Sequence, residues 1–151
     1  MHVVLFQPEI PPNTGNVARL CAAMQVSLHL IEPLGFKLED RYLKRAGLDY
    51  WPHVDMAVWP HLDAYIRKAG AGRRLVLTSA RRGAALHRFE FTENDSLVFG
   101  RETSGLPPEV IGLSPHHVRI PIKGEVRSIN LSTAAGIVLF QALVSAGLVG
   151  E

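Results

Sequence analysis

The sequence predicts an α/β fold in one domain spanning residues 1–151, with a mainly parallel sheet flanked by helices. Short apolar runs of strand length alternate along the chain with segments whose apolar residues recur at helical spacing, an order typical of parallel sheets. Hydrophobic residues make up 47% and charged residues 20% of the 151 residues, which is typical of a globular protein. A chain of this length can bury one core, and no linker, internal repeat or low-complexity segment divides it.

Composition also limits the environment in which the chain works. The net charge of +2 permits contact with a polyanion without requiring it. The single cysteine, Cys21, excludes an internal disulfide, and no group of Cys and His residues has zinc-site spacing, so we expect no metal. The first residues lack the basic start and long apolar run of a signal peptide. We therefore expect a protein of the reducing cytoplasm.

Two apolar runs near the N-terminus predict strands with a helix between them. Residues 2–6 (HVVLF) and residues 27–33 (SLHLIEP) have the length and apolar character of buried strands, and a proline terminates each. Between them, residues 13–25 predict an amphipathic helix with Asn13 or Thr14 as its N-cap. The apolar residues at helical spacing are Val17, Leu20, Cys21 and Met24.

The rest of the chain continues this alternation. Further strands are predicted at residues 54–59, 74–79, 96–100 and 118–122. Further helices are predicted at residues 38–47, 61–70 and 107–112, followed by a long last helix from Asn130. In parallel sheets, ligands bind beyond the carboxyl ends of the strands. The loops that should border a ligand site are therefore those after Phe6, Ser79, Phe99 and Ile122.

The last helix has no charged residue from Leu131 to Val149. A membrane span needs about 18 apolar residues, and polar side chains and two glycines interrupt this stretch, so a span is disfavoured. The interrupting polar residues are Ser132, Thr133, Gln141 and Ser145. A helix that is apolar on all sides is more often buried between layers or between subunits.

The candidate loops lack the common nucleotide-binding and hydrolase motifs. The loop after the first strand holds only Gly15, which excludes the dinucleotide motif G-x-G-x-x-G. The chain has neither a phosphate-binding P-loop nor the G-x-S-x-G turn of serine hydrolases. The adjacent His116 and His117 point apart on a regular element, and we interpret all seven histidines as structural or surface residues.

Three features of these segments remain as candidates for chemistry. Arg19 lies opposite the apolar stripe of its helix and is either a solvated arginine or an anion clamp suited to phosphate. In FGRETSGLP, Gly100 and Gly105 permit close backbone approach and a positive φ, although a plain turn explains them nearly as well. RIPIKGEVRSINLS contains a predicted N-cap at Ser128 or Asn130. The exposed N–H groups of the helix start there could bind polar groups of a ligand, or the segment could be an ordinary capped helix.

Together these blocks resemble the motifs of the SPOUT superfamily of RNA methyltransferases, in its branch of 2'-O-ribose methylating enzymes. PEIPPNTGNVARLCAA is similar to the first motif of that branch, LVFGRETSGLP to the second and RIPIKGEVRSINLSTAAGIVLFQA to the third. The three occur in family order and cover nearly the whole chain. More narrowly, QPEIPPNTGN, LHLIEPLGF and RAGLDYW resemble the compact 2'-O-methyltransferases of the wobble cytidine or uridine of tRNA.

The resemblance implies a fold and an assembly that periodicity alone does not give. Family members have an α/β sheet with a deep trefoil knot at the C-terminus, made by threading the last helix through a loop. They are homodimers in which the knot region forms both the cofactor site and the subunit interface. The last helix would then be covered by its own domain on one side and by the partner on the other.

The resemblance also implies a reaction and its residues. A ribose 2'-hydroxyl of tRNA attacks the methyl group of S-adenosylmethionine, giving S-adenosylhomocysteine, with no metal. The residues implied in RNA positioning and catalysis are Asn13, Arg19, Glu102, Ser128 and Asn130. The residues implied in the cofactor pocket are Leu77, Thr78, Gly100, Ile120, Ile122, Ser128, Ile129, Asn130 and Leu131. Arg101 and Ser104 stand at variable positions of the branch, and together with the charged loop KGEVRS they bear on tRNA preference.

RNA binding needs basic surface, although paired basic residues can also be simply solvated. The candidates are Lys44, Arg45, Arg67, Lys68, Arg73, Arg74, Arg81, Arg82 and Arg88. Three other functions remain open: methylation of another tRNA position or of ribosomal RNA, a knotted RNA-binding protein without catalysis, and a metabolite enzyme of unrelated chemistry. The intact motif residues argue against the second, and the absence of metabolite-enzyme motifs argues against the third.

Overall fold

The structure is a computed structural model that describes residues 1–41, 43, 45 and 51–150. Residues 41, 43 and 45 of the predicted helix at residues 38–47 are helical, and residues 42, 44, 46 and 47 lie outside the described residues. The candidate Lys44 is therefore not described, and neither are residues 46–50 of the RAGLDYW segment.

The described residues form one sheet of seven strands in which every strand pair is parallel. The strands are β1 (His2–Phe6), β2 (Ser27–Ile31), β3 (Met56–Trp59), β4 (Arg74–Thr78), β5 (Ala84–Ala85), β6 (Asp95–Phe99) and β7 (His117–Arg119). Their order in the sheet is β3-β2-β1-β6-β4-β7-β5. The apolar strands β1 and β6 pair in the middle because parallel strands must be covered on both faces. The predicted mainly parallel α/β fold is confirmed.

Helices cover both faces of this sheet. They are α1 (Pro11–Met24), α2 (Leu62–Arg67), α3 (Pro108–Ile111) and α4 (Leu131–Ser145), with 3-10 turns at Trp51–His53 and Leu86–Arg88. Successive residues of a strand point to opposite faces, so Val3 packs in the cluster with α1 and α4, while Val4 packs in the cluster with α2 and α3. The core is therefore divided by the sheet into two apolar layers.

The first helix begins earlier than predicted and has a different cap. Neither Asn13 nor Thr14 is the N-cap, because Ile10 occupies that position and two prolines follow it in the first turn. Proline suits the start of a helix because it has no N–H to satisfy and its φ is already helical. Asn13 and Thr14 are buried within the first turn instead.

The buried face of α1 is also rotated from the predicted apolar stripe. Val17 and Cys21 are buried as predicted, but Met24 is exposed and Ala18 is buried in its place. The cause is the neighbouring helix, since α1 packs against α4 as well as against the sheet. Small side chains on that side permit the two helices to approach.

Two strands near the C-terminus differ from the predicted ones. β7 ends at Arg119, three residues before the predicted end, so Ile120 and Ile122 lie outside the strand ladder. The two-residue strand β5 was not predicted, because two alanines have no apolar pattern.

The last helix is buried on one side only. Its N-cap is Asn130, the second of the two predicted caps. The side facing the core carries Leu131, Ala135, Val138, Leu139, Ala142 and Leu143. Large apolar side chains elsewhere on the helix, Ile137, Phe140 and Val144, are exposed. None of the helices in the described part of the chain combines the length and apolarity needed to cross a bilayer.

Candidate active site

The predicted loops meet at one cavity of about 750 Å³ at the carboxyl edge of the sheet. Residues 78–82 form the end of β4 and the loop after it, residues 99–106 form the end of β6 and the loop after it, and residues 127–131 lead into the first residue of α4. The start of α1 adds Ile10 and Asn13. The volume lies within the range of small-molecule sites, which is roughly 300–1,000 Å³. The cavity therefore lies at the edge of the sheet where the sequence predicts a ligand site.

Asn130 joins the start of α4 to the start of α1. Its Oδ1 accepts hydrogen bonds from the backbone N–H of Ser132 at 2.9 Å and of Thr133 at 3.2 Å, which caps the helix. Its Nδ2 donates to Oδ1 of Asn13 at 2.9 Å. Because the cap fixes the oxygen, the amide nitrogen can point only toward α1. Asn13 and Asn130, taken from different motifs, are thus brought into contact.

Glu102 joins the loop after β6 to the loop that enters α1. Its carboxylate accepts hydrogen bonds from the backbone N–H of Glu9 at 2.8 Å and of Ile10 at 3.1 Å. No side chain of α1 itself caps the helix start. A carboxylate more than 90 residues away in sequence therefore satisfies amides just before the helix.

The same two loops exchange a second set of hydrogen bonds. The carboxylate of Glu9 accepts from the backbone N–H of Thr103 at 3.1 Å and from its hydroxyl at 2.8 Å. These bonds hold the pKa of the Glu9 carboxyl below its usual value. We call the pair of contacts, Glu102 to residues 9 and 10 and Glu9 to Thr103, the reciprocal clamp.

Arg101 is also tied to the first loop, although it lines the cavity. Its Nε donates to Oε1 of Gln7 at 2.8 Å, and a second guanidinium nitrogen contacts the same oxygen. Its guanidinium carbon lies 5.2 Å from the centre of the Phe6 ring. Cation–π contact and hydrogen bonding together fix this arginine against the end of β1.

The two glycines of the second motif form a tight turn. Arg101 and Gly105 exchange both backbone hydrogen bonds, at 3.2 and 2.9 Å, and Gly105 has a φ of 68°. A Cβ at Gly100 would lie 2.4 Å from the carbonyl carbon of Gly105. The predicted positive φ at Gly105 is confirmed, and the close approach at Gly100 is made by the turn itself.

The described residues also include a buried thiol and side chains of the types that ligate metals. Burial raises the pKa of the Cys21 thiol to about 12, so it stays protonated inside the core. No group of three or more His, Cys, Asp or Glu residues in the described part of the chain is arranged to hold a metal ion.

Comparison with known proteins identifies the family. Residues 1–140 match the family described as the SpoU rRNA Methylase family. The chain belongs to this family. A relative from Methylovorus glucosotrophus, a tRNA (cytidine(34)-2'-O)-methyltransferase, is 48% identical over 142 residues, covering 93% of this chain and 92% of the relative.

Solved structures of the family have the same fold. One, from work on the 2-OH methylation of C/U34 on tRNA, superposes with a TM-score of 0.91 at 48% identity, covering 95% of this chain and 94% of that chain. Another is the SpoU methyltransferase AviRb from Streptomyces viridochromogenes in complex with AdoMet. Its TM-score is 0.84 at 25% identity, covering 95% of this chain and 59% of that chain.

Most of the residues that the SpoU-family motifs implied border the cavity. Those in its lining are Asn13, Thr78, Gly100, Glu102, Ile120, Ile122, Ser128, Ile129, Asn130 and Leu131. Leu77 is not among them, because it is fully buried in the layer with α2 and α3. Arg19 is not among them either, because it lies on the exposed side of α1, about 9 Å along the helix axis from Asn13.

Of the basic residues proposed to bind RNA, some form ion pairs with acidic side chains and others line the cavity. Arg74 forms a bidentate pair with Asp95 at 2.7 and 2.8 Å, and Arg67 pairs with Asp63 at 2.8 Å. Arg81 and Arg82 line the cavity instead. Arg127, from the charged loop KGEVRS before α4, lines the cavity as well.

Proposed function

We propose that this chain methylates the ribose 2'-hydroxyl of the wobble nucleotide, cytidine or uridine 34, in tRNA anticodon loops, with S-adenosylmethionine as the methyl donor. The observation that carries the proposal is the meeting of three motifs at one cavity, where Asn13, Glu102, Ser128 and Asn130 lie together. The names of relatives that are 42–48% identical over most of the chain support the choice of tRNA and of position 34.

The cavity fits this cofactor. Ile120, Ile122 and Leu131 offer apolar contacts for a flat base, and the tight turn that begins at Gly100 offers backbone groups beside them. Thr78 donates its hydroxyl proton to the carbonyl of Val98 at 2.9 Å, which turns its methyl group away from that bond. Ser128 and Ile129 would close the pocket from the segment before α4. Leu77 would support this wall from the core rather than touch the ligand.

S-adenosylmethionine supplies a methyl group on a positive sulfonium, so its transfer forms a C–O bond, breaks an S–C bond and releases the hydroxyl proton. The residues of this chain have to align the ribose. Alignment lowers barriers by up to roughly 7–11 kcal/mol in well-oriented cases. The hydrogen bond between Asn13 and Asn130 fixes two amides at the cavity wall, and Ser128 beside them offers a hydroxyl.

Arg19 would act on the RNA rather than as a base. An arginine side chain keeps its proton in proteins, so it is a poor general base by itself. A guanidinium presents a planar fork that suits a phosphate. We assign to Arg19 the orientation of the phosphate beside the target ribose, which acidifies the hydroxyl, and the proton leaves through phosphate or water.

We propose further that residues 1–151 form one knotted domain and that two copies pair through the knot and α4. The exposed Ile137, Phe140 and Val144 support this assembly, since they form an apolar surface on a helix that is otherwise in the core. The cytoplasm, where tRNA is modified, is the proposed location.

The test is transfer of labelled methyl from S-adenosylmethionine to total tRNA and to ribosomal RNA, with nuclease mapping of the product. We expect incorporation at the wobble ribose, a loss of at least about tenfold in Arg19→Ala, and no comparable loss in Arg67→Ala on α2. Incorporation at another tRNA position or in ribosomal RNA would assign a different target. Cofactor binding without incorporation into any RNA would indicate a non-catalytic RNA-binding protein.

A further inference from the structure

Three arginines border the cavity and have no side-chain partner in the part of the chain that the structure describes. Arg81 and Arg82 belong to the loop after β4, and Arg127 to the segment before α4. All three are exposed, and their guanidinium groups have no hydrogen-bond or ion-pair partner among the residues that the structure describes. We call Arg81, Arg82 and Arg127 the rim arginines.

The loop that carries two of them is held in a fixed shape. The hydroxyl oxygen of Ser79 accepts the backbone N–H of Arg81 at 3.2 Å and of Arg82 at 3.1 Å. Gly83 has a φ of 95°, and a Cβ there would lie 2.2 Å from the carbonyl oxygen of His117 in β7. The loop is therefore anchored at both ends, and its backbone sets the positions from which the two side chains project.

The positive charge at the rim is not compensated by the rest of the cavity lining. Glu102 is the one acidic residue in that lining, and both of its oxygens accept amides in the reciprocal clamp. Arg101 is fixed on Gln7 and Phe6. The proposed cofactor carries one carboxylate, one ammonium and one sulfonium, so its net charge is positive. One carboxylate does not account for three free guanidinium groups.

A polyanionic strand does account for them. Guanidinium groups bind phosphates through paired hydrogen bonds, and consecutive phosphates of RNA can contact arginines on two sides of one cavity. We propose that the rim arginines bind backbone phosphates of the RNA strand that carries the target nucleotide, with Arg81 and Arg82 reaching it from the loop after β4 and Arg127 from the segment before α4. The identity of that target rests on the proposed function, whereas the phosphate contacts do not.

This inference separates basic residues that look alike in the sequence. Arg67 and Lys68 are adjacent, as are Arg81 and Arg82, and each pair contributes two positive charges. Arg67 is paired with Asp63 on α2, and neither Arg67 nor Lys68 lines the cavity. Arg67→Ala/Lys68→Ala is therefore a control that matches Arg81→Ala/Arg82→Ala in net charge.

The experiment measures the affinity for an unmodified anticodon stem-loop RNA by fluorescence anisotropy over a series of salt concentrations. Each phosphate contact to single-stranded RNA contributes about 0.7 to the slope of log affinity against log salt. We expect Arg81→Ala/Arg82→Ala to reduce that slope by about 1.4 and the control pair to leave it nearly unchanged. Arg81→Lys/Arg82→Lys should retain most of the slope, because it retains the charge.

Other results would overturn the proposal. An unchanged slope in Arg81→Ala/Arg82→Ala would show that these residues make no phosphate contacts. An equal reduction in the control pair would show that the slope depends on the net charge of the protein rather than on contacts at the cavity. Calorimetric measurement of S-adenosylmethionine binding shows whether Arg81→Ala/Arg82→Ala is folded and whether the two arginines bind the cofactor instead of RNA. We expect the affinity for S-adenosylmethionine to be unweakened in this variant. Loss of that affinity with an unchanged RNA salt slope would assign the two arginines to the cofactor.

Failure of this proposal is distinguishable from failure of the proposed function. If the unaltered chain methylates tRNA but the rim variant keeps its salt slope, only the phosphate contacts are wrong. If the slope falls as expected but the unaltered chain transfers no methyl to tRNA, the phosphate contacts stand and the proposed reaction is wrong.

Discussion

The carboxylate of Glu102 accepts its hydrogen bonds from backbone N–H groups. Both carboxylate oxygens accept amides of residues 9 and 10, so the charged group lies at the start of α1, where the helix dipole also favours a negative charge. A residue bound in this way positions the first motif against the second. We therefore expect Glu102 to act through the loop that it holds rather than by proton transfer.

Replacing this carboxylate tests the positioning role. Glu102→Ala leaves two amides without their acceptor and should lower the free energy of unfolding by about 1–3 kcal/mol. Glu102→Gln keeps one acceptor oxygen and should lose about half as much unfolding free energy. Its rate of methyl transfer should fall, whereas the ionisations seen in its pH–rate profile should stay unchanged. Urea unfolding and kcat against pH measure both, and the exposed Glu93→Ala is the control. A stable Glu102→Gln variant that has lost an ionisation and nearly all activity would contradict the positioning role.

A second group of polar side chains lies away from the cavity, among the strands and α2. The indole N–H of Trp59 donates to Nδ1 of His29 at 3.0 Å, and Nε2 of His29 is buried without a partner in the described residues. Nδ1 of His2 lies 2.9 Å from the Tyr65 hydroxyl, which lies 2.6 Å from Oγ of Ser96. Burial lowers the pKa of both histidines to about 4.

We expect these histidines to make the fold less stable in mild acid. A histidine has a pKa of about 6.5 when unfolded, so between pH 6.5 and about 4 the unfolded chain binds more protons and stability falls as the pH falls. His29→Gln keeps an acceptor for Trp59 but cannot titrate. We expect it to remove roughly 1–2 kcal/mol of that loss, allowing for solvent screening. Thermal unfolding at several pH values measures the effect, with the exposed His87→Gln as control, and parallel curves for His29→Gln and the unaltered chain would refute it.

At the scale of elements, the turn after β6 determines the shape of the cavity wall. Its two ends touch through the backbone at Gly100 and Gly105, and the intervening residues 101–103 reach back to the loop before α1. The turn therefore couples the end of β6 to the start of α1. A change in its backbone should alter both elements together.

Alanine at Gly100 tests this coupling. The added Cβ would meet backbone atoms of Gly105 and Leu106 at 2.4 and 2.5 Å, and backbone cannot move aside as a flexible side chain can. We expect a loss of about 1–3 kcal/mol in unfolding free energy and a clear loss of S-adenosylmethionine affinity. Gly112→Ala is the matched control, because its Cβ would meet only the carbonyl oxygen of Pro108, at 3.6 Å. Equal stability and affinity of the two variants would show that the turn tolerates the added atom.

The sequence predicts those parts of the fold that depend on local pattern. The apolar runs predict β1, β2, β4 and β6, and the cap at Asn130 predicts the start of α4. The two prolines at the start of α1 are a local signal that the predicted cap at Asn13 or Thr14 did not use, whereas the acceptor of the amides just before the helix, Glu102, comes from a distant loop and has no local signal. The contact between Asn13 and Asn130 likewise spans 117 residues, and only the resemblance to a family brought them together beforehand.

At the scale of the whole molecule, α4 has two apolar sides, of which the protein itself covers only one. Its core side packs against the sheet and α1, while Ile137, Phe140 and Val144 are 42%, 51% and 49% exposed. Leu148 and Val149, which follow the end of the helix, are exposed apolar residues as well. Exposed apolar surface of this kind is typical of an interface. Burying apolar surface contributes a free energy of about 25 cal/mol per Å². This gain favours the pairing of this surface with a second copy of the chain.

A charge in the middle of this surface should separate the two copies. Phe140→Glu places a carboxylate at the centre of the proposed interface, where burial without a partner costs several kcal/mol. We expect sedimentation equilibrium to give a dimer mass for the unaltered chain and a monomer mass for Phe140→Glu. Leu113→Glu is the matched control, because Leu113 is 53% exposed, about as much as Phe140, but lies after α3 on another surface. A dimeric Phe140→Glu would show that the interface does not depend on this surface of α4, and dissociation of both variants alike would show that the effect of the added charge is not specific to α4.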